Sequence, residues 1–330
     1  MPTPRILSGP EAIAAGVREL AAGGLVVFPT ETVYGLGADA HNAAAVARVF
    51  ALKGRPANNP LIVHVSGTPM ARRVVDGWPD EAERLAGSFW PGPLTLVLPR
   101  RSDLPDAVTA GGPTVGVRCP DHPVALALIE ASGMPIVGPS ANLSGRLSPT
   151  TADHAAAGFA DHDLLIIDGG ACRAGIESTV LDLTGPTPRI LRPGVIGAEA
   201  IASVLGRPVA SPEPGYFSDA DAPVASPGLL GAHYQPNTPV CLITDAGDAA
   251  VTGSDALIAW SVNTHPGARR VFPIPTDPGG FAAALYARLH DADACGAERI
   301  LVELPVRPGD PTTLGIYLAI LERLGRASVV

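Results

Sequence analysis

Between Arg207 and Pro239 the chain reads RPVASPEPGYFSDADAPVASPGLLGAHYQPNTP, rich in Pro, Gly, Ser and Asp and without a sustained hydrophobic period. Proline removes backbone donors and blocks both helix interiors and central strands, so such a stretch interrupts whatever fold precedes it. The chain must therefore build two separate units. We expect the first over residues 1–208, an extended linker over 209–238, and a smaller unit over 239–330. A proline-rich linker is stiff enough to lie along a surface, where it could act as a lid.

Upstream of the break, short β-branched runs alternate with helical stretches. Pro10 opens EAIAAGVREL and Gly23-Gly24 stops it; Asn42 caps AAAVARVFALK and Gly54 ends it. GLVVF, LIVHV, LTLVLP, TVGVRC, PIVG, LLIID, STVLDL and PRILR read as strands. DEAERLAG, PVALALIEAS, the segment after Thr150-Thr151 and AEAIASVLG read as helices. Downstream, VCLITD, DALIAW, VFPIP and ILVELP are strands, with helices near FAAALYARLHDADAC and TTLGIYLAILERLG. Both units are thus α/β, the second a parallel sheet with flanking helices.

Charge narrows the function. The net charge is −9, with −3 in residues 1–208 (16 basic, 19 acidic) and −6 in the rest (7 basic, 13 acidic). A protein whose main task is gripping nucleic acid phosphates needs a basic face, so that class is disfavoured. No run approaches the roughly 20 apolar residues that span a bilayer, and the N-terminus lacks a signal pattern, so a cytoplasmic location is expected. The four cysteines form no Cys-x-x-Cys pair and the eight histidines no metal-type spacing; we expect reduced, mostly core cysteines and no structural zinc. Of 23 basic residues, Lys53 is the one lysine, which marks a place where a compact ammonium is wanted or simply where one happens to fall.

Polar residues gather where the strands end. FPTETVYGLG breaks an apolar run with Thr30, Glu31 and Thr32, then sets a tyrosine between glycine-flanked turns. KGRPANNPLIVHV places Lys53, Arg55 and Asn59 in a helix-to-strand loop and His64 near the strand's end, a loop that could clamp a polyphosphate or merely carry solvated charge. In TVGVRCP, Thr114, Gly116 and Arg118 share one strand face, and an arginine there calls for a carboxylate or phosphate partner. GPSANLSGRLSPT carries Ser140 and Asn142, and GIESTV opens a strand at Ser178-Thr179 behind Glu177, with Arg192 ending the next strand. None of these is a phosphate-loop, dinucleotide or nucleophile-elbow motif. Cations, hydroxyls and amides without an obvious nucleophile fit the alignment of two polar substrates rather than covalent catalysis.

Taken in order, PTETVYGLG, KGRPANNPLIVHV, FWPGPLTLVL, VGVRCPDHP, PSANLSG and GIESTVLDL resemble the YrdC-type threonylcarbamoyl-AMP synthases, and SPGLLGAHYQP followed by a second α/β unit resembles their long, two-domain form. The resemblance implies a twisted mixed sheet with flanking helices around a concave cavity, plus a small Rossmann-like C-terminal domain. It implies an enzyme that joins L-threonine, bicarbonate or carbon dioxide, and ATP into threonylcarbamoyl-adenylate and pyrophosphate, the first step of threonylcarbamoyladenosine formation in tRNA. Magnesium would be held mainly by the ATP phosphates, and a tRNA-modifying transferase would take the product, with direct tRNA contact possible but not strong. By similarity, threonine would meet Thr32, His64, Arg118, Gly138 and Ser178. ATP would meet Lys53, Arg55, Asn59, Thr114, Ser140, Asn142, Ser148, Arg192 and Tyr234, with Lys53, Arg55 and Arg118 catalytic. One departure is Leu229-Leu230-Gly231-Ala232, where the family usually carries basic and aromatic residues. The alternatives are an RNA-binding module that makes no adenylate, and a carbamoyl-transfer protein of hydrogenase maturation, whose cysteine-rich zinc motifs this chain lacks.

Overall fold

The protein, as a computed structural model, is described over residues 3–211, 234–247 and 249–328. Ten strands make the first sheet: β1 (Arg5–Ser8), β2 (Val26–Phe28), β3 (Gly35–Asp39), β4 (Ile62–His64), β5 (Leu94–Pro99), β6 (Thr114–Arg118), β7 (Ile136–Val137), β8 (Leu165–Asp168), β9 (Thr179–Asp182) and β10 (Arg189–Arg192). Their order is β1-β8-β2-β3-β7-β4-β6-β5-β9-β10, with parallel and antiparallel neighbours mixed.

Side-chain alternation covers the sheet on both faces. Val26, Phe28, Leu165 and Ile167 bury against helices Gly9–Ala21 and Pro123–Ser132. Val27, Leu36, Val63 and Ile166 point the other way, into the larger core with helices Ala43–Lys53 and Asp80–Phe89. A fully buried core residue contributes about 1.5–3 kcal/mol, so two such layers hold the strand ends rigidly.

The segment Gly35–Asp39 differs from its sequence reading. It is a strand, antiparallel to β2, rather than a pair of turns. Gly35 and Gly37 are there because the Phe28 ring crosses them: a Cβ on either would sit 3.0 Å from that ring. The edge strand β1, exposed along its length, also lacks the alternating apolar signal that would reveal it.

The second sheet contains β11 (Val240–Ile243), β12 (Asp255–Ala259), β13 (Arg270–Pro273) and β14 (Arg299–Glu303), in the order β11-β14-β12-β13 and parallel throughout. Helices Pro278–Asp293 and Leu314–Ala327 flank it. One buried cluster joins the two units: Val33, Leu147 and Ile176 of the first pack with Phe281, Leu285, Tyr286 and Leu324 of the second. The approach is close at Gly175, whose φ is +69° and where a Cβ would lie 2.4 Å from the Ala283 carbonyl. No described helix is long and apolar enough to cross a membrane.

Candidate active site

Parallel pairing of β4 with β6 puts His64 directly beside Arg118. Both end their strands and both are buried. The turn after β2 folds over them. Thr30 Oγ organises it, donating to the Val33 carbonyl at 2.6 Å and accepting from the amides of Thr32 and Val33. Glu31 is thereby driven inward, and its carboxylate stands 2.6 Å from Arg118 Nη2, with both side chains 4% exposed. The arginine that looked isolated in sequence therefore has a partner three strands away in the chain. The pairing is incomplete: both oxygens of Glu31, Nε and Nη2 of Arg118, and Nδ1 of His64 are buried without a well-aligned hydrogen bond. Unfilled buried polar groups are costly and rare, and their convergence here marks a site for a polar ligand.

Thr30, Thr32, Val33, His64 and Arg118 of this group line one cavity. Gly138 and Ser140 line it together with Arg55, Glu177, Arg192 and Tyr234. Gly138 is required at its place, because a Cβ would meet His64 Nδ1 at 2.7 Å. Burial, and then the charge of Arg118, push the His64 pKa down to about 3, so its imidazole is neutral at neutral pH. Burial and then Arg192 disfavour the charge on Arg55. Guanidinium groups crowded this way favour an anionic ligand.

Other expected residues stand behind this wall. Lys53 is the last residue of its helix rather than a loop cation, and its Nζ donates to the carbonyls of Ser140 (2.6 Å) and Asn142 (2.5 Å). Burial, then Arg55, push its pKa well below the usual lysine range. Asn59 fixes Arg55 by accepting at 2.6 Å from Nη2, while Asn142 Nδ2 holds the carbonyls of Leu143 and Arg146. Ser148 Oγ donates to Glu177 at 2.6 Å. Ser178 Oγ lies 2.8 Å from Thr95 Oγ1 and accepts from Arg192 at 3.2 Å. Thr114 shares a strand face with Arg118 but begins the strand, about 13 Å away along it. Lys53, Asn59, Thr114, Asn142, Ser148 and Ser178 are thus not among the cavity-lining residues. Tyr234 is: it lies within the expected linker, with a left-handed φ of +63° and its ring 5.6 Å from that of Tyr286. Residues 212–233 of the expected lid, Leu229-Leu230-Gly231-Ala232 among them, lie outside the described residues.

Residues 18–194 match the family described as "Telomere recombination", which groups Sua5, YciO and YrdC, and residues 196–329 match "Threonylcarbamoyl-AMP synthase, C-terminal domain". A threonylcarbamoyl-AMP synthase of Pyrococcus abyssi is 41% identical, with 96% of this chain and 93% of that protein aligned. The chain belongs to the threonylcarbamoyl-AMP synthase family. A synthase of Bacillus subtilis is 40% identical over 92% of this chain and 89% of its own. The crystal structure of P. abyssi Sua5 complexed with L-threonine has a TM-score of 0.88 at 37% identity, covering 98% of this chain and 97% of that one. The mixed twisted sheet with a second α/β unit is accordingly the architecture of this synthase family, and the chain is an enzyme of the nucleotide-using kind.

Three residues of this synthase site escaped the sequence reading. Glu31 was visible in PTETV, but its pairing with Arg118 spans strands β3, β4 and β5 and the helices between them. Arg323 and Tyr286 lie in the C-terminal unit, yet contact Glu177 at 3.2 and 3.1 Å. A cationic residue inside an apolar helix, ILERLG, was the available signal.

Proposed function

We propose that the chain binds L-threonine at the Arg118 end of the cavity and ATP at the Arg55 and Arg192 end, and joins them through a carbamate. The observation that carries this reading is the buried trio of Glu31, Arg118 and His64, with its unfilled hydrogen-bonding capacity, two of whose members, Arg118 and His64, line the same cavity as Arg55 and Arg192. Arg118 offers donors to the amino acid's carboxylate, and Glu31 offers acceptors to its ammonium. Neutral His64 and the Thr32 hydroxyl orient the substrate without adding charge.

The free amine of threonine captures carbon dioxide, forming an N–C bond and releasing a proton. A carbamate oxygen then attacks the α-phosphorus of ATP in line, and the bond to the pyrophosphate oxygen breaks. Arg55 and Arg192 stabilise charge on the departing pyrophosphate. ATP enters as its magnesium complex, the metal carried by the phosphates and withdrawing charge from them. Lys53, Asn59, Asn142, Ser148 and Ser178 act by holding the walls, and Thr114 by holding the far end of its strand. Carbamates decompose in water, and the buried Tyr234 ring, part of the cavity lining, helps to exclude it. We assign 1–208 to the synthase unit, 209–238 to the linker and 239–330 to the C-terminal unit, working in the cytoplasm and passing the adenylate to a tRNA-modifying transferase.

The test incubates the purified chain with labelled bicarbonate, ATP and threonine, omitting each in turn, and looks for a labelled adenylate by chromatography. Product that persists without threonine, or no product with all three, refutes the reading.

A further inference from the structure

The cavity holds an electrostatic contradiction. Among its described lining residues stands one carboxylate, Glu177, beside the end we assign to a triphosphate. A buried anion there would repel phosphates or draw Arg192 and Arg55 to itself. The first unit offers it the Ser148 hydroxyl and the charge of Arg192, which the phosphates would share. The compensating charge comes from the C-terminal unit: Arg323, on helix Leu314–Ala327, has a fully buried side chain and places Nε 3.2 Å from Glu177. Its Nη1 donates to the Pro193 carbonyl at 2.6 Å, next to Arg192 in sequence, and Tyr286 donates to the same carboxylate at 3.1 Å. The guanidinium also lies 5.9 Å from the Tyr234 ring. Burial opposes its charge, but Glu322 and Glu177 outweigh that and hold it charged. Against burial, Arg323 and then Arg192 keep the Glu177 pKa below the usual carboxylate range.

We propose that Arg323 is a positioning residue for ATP: by binding the Glu177 carboxylate and the Pro193 carbonyl, it occupies the cavity's anion and sets the loop that carries Arg192. The C-terminal unit is then a part of the nucleotide site and more than a scaffold beside it. This rests on the reading that ATP occupies the arginine end.

Calorimetric titration of the full chain with ATP and magnesium, without threonine or bicarbonate, tests it. Arg323→Met leaves Arg192 as the main cation facing Glu177, in competition with the phosphates, and should weaken ATP binding by about tenfold or more, while threonine binding, titrated separately, changes less than about twofold. Removing the anion as well, in Arg323→Met with Glu177→Gln, should restore ATP affinity to within about threefold of the unaltered chain. Arg323→Lys, which keeps charge but loses the fork, should fall between. A merely structural arginine predicts the opposite for the double variant, since the second substitution can only add damage. The proposal is overturned if Arg323→Met binds ATP as the unaltered chain does, or if the double variant binds no better than the single. Should Arg323→Met fail to fold by thermal unfolding, the comparison of Arg323→Lys with Arg323→Lys/Glu177→Gln decides by the same rule. An unaltered chain that binds ATP but makes no adenylate refutes the functional reading and leaves this comparison intact; one that binds no ATP refutes both.

Discussion

Both sheets bury charged groups at strand ends, but they use them differently. In the small sheet Glu303 ends β14 and accepts from the amides of Trp260 and Ser261, each at 2.9 Å. Asp255 opens β12 and takes two bonds from Arg299, at 2.9 and 2.7 Å, and more from Thr252. These carboxylates are filled by the protein itself. In the large sheet Arg118 and Glu31 meet at 2.6 Å yet keep donors and acceptors unfilled, as does His64. A strand end is therefore not a site by virtue of its position. Hydrogen-bonding capacity that the fold leaves open distinguishes the two, because such capacity is costly to bury without a ligand to complete it.

The sharpest way to break this comparison is Arg118→Ala. Threonine-dependent pyrophosphate release should fall by about a hundredfold or more, with ATP binding largely kept. Unchanged threonine affinity, measured by calorimetry, would mean that the open capacity serves nothing. Next in size is Gly175→Ala, at the seam between the regions: the left-handed φ and the 2.4 Å approach to the Ala283 carbonyl should cost about 3 kcal/mol in denaturant unfolding.

In the small sheet, Asp255→Asn should cost about 1–2 kcal/mol without altering substrate affinities. The Arg299 hydrogen bonds hold the Asp255 pKa at about 2, below the ordinary 3.8. A depressed carboxylate stabilises the fold above its unfolded pKa, so this contribution is present at neutral pH and fades as pH falls from about 4 to about 2. The variant's acid-unfolding curve should lack that component.

The smallest effect is on His64. Arg118→Ala should raise its pKa above 3 but not to 6.5, since burial is the larger cause, and imidazole resonances followed against pH will report it. The sign for stability follows: because its folded pKa is depressed, His64 destabilises the protein as pH falls from 6.5 towards 3, where the unfolded chain takes up the proton first.

Much of the fold was legible. Asn42 caps its helix by accepting from Ala45, Gly54 ends it in the left-handed region, and the strands from LIVHV to PRILR stand where their β-branched runs lie. β3 was hidden, because the glycines that admit the Phe28 ring also look like turn residues. Within the site, Arg55, His64, Arg118, Ser140 and Arg192 do converge on one cavity. By its sequence context Lys53 could clamp a phosphate or carry solvated charge; that its Nζ bonds two carbonyls was not legible, since nothing in a single residue's context reveals which backbone groups will face it.

What the sequence determined by itself was the alternation of elements and the kinds of polar group placed at each strand end, because period and caps act over a few residues. Only the tertiary structure decided which of those groups are satisfied. Glu31 reaches Arg118, and Arg323 reaches Glu177 from 146 positions along the chain, because sheet order and helix packing bring them together. Their charges are governed by burial and by neighbours in space, which no local pattern encodes.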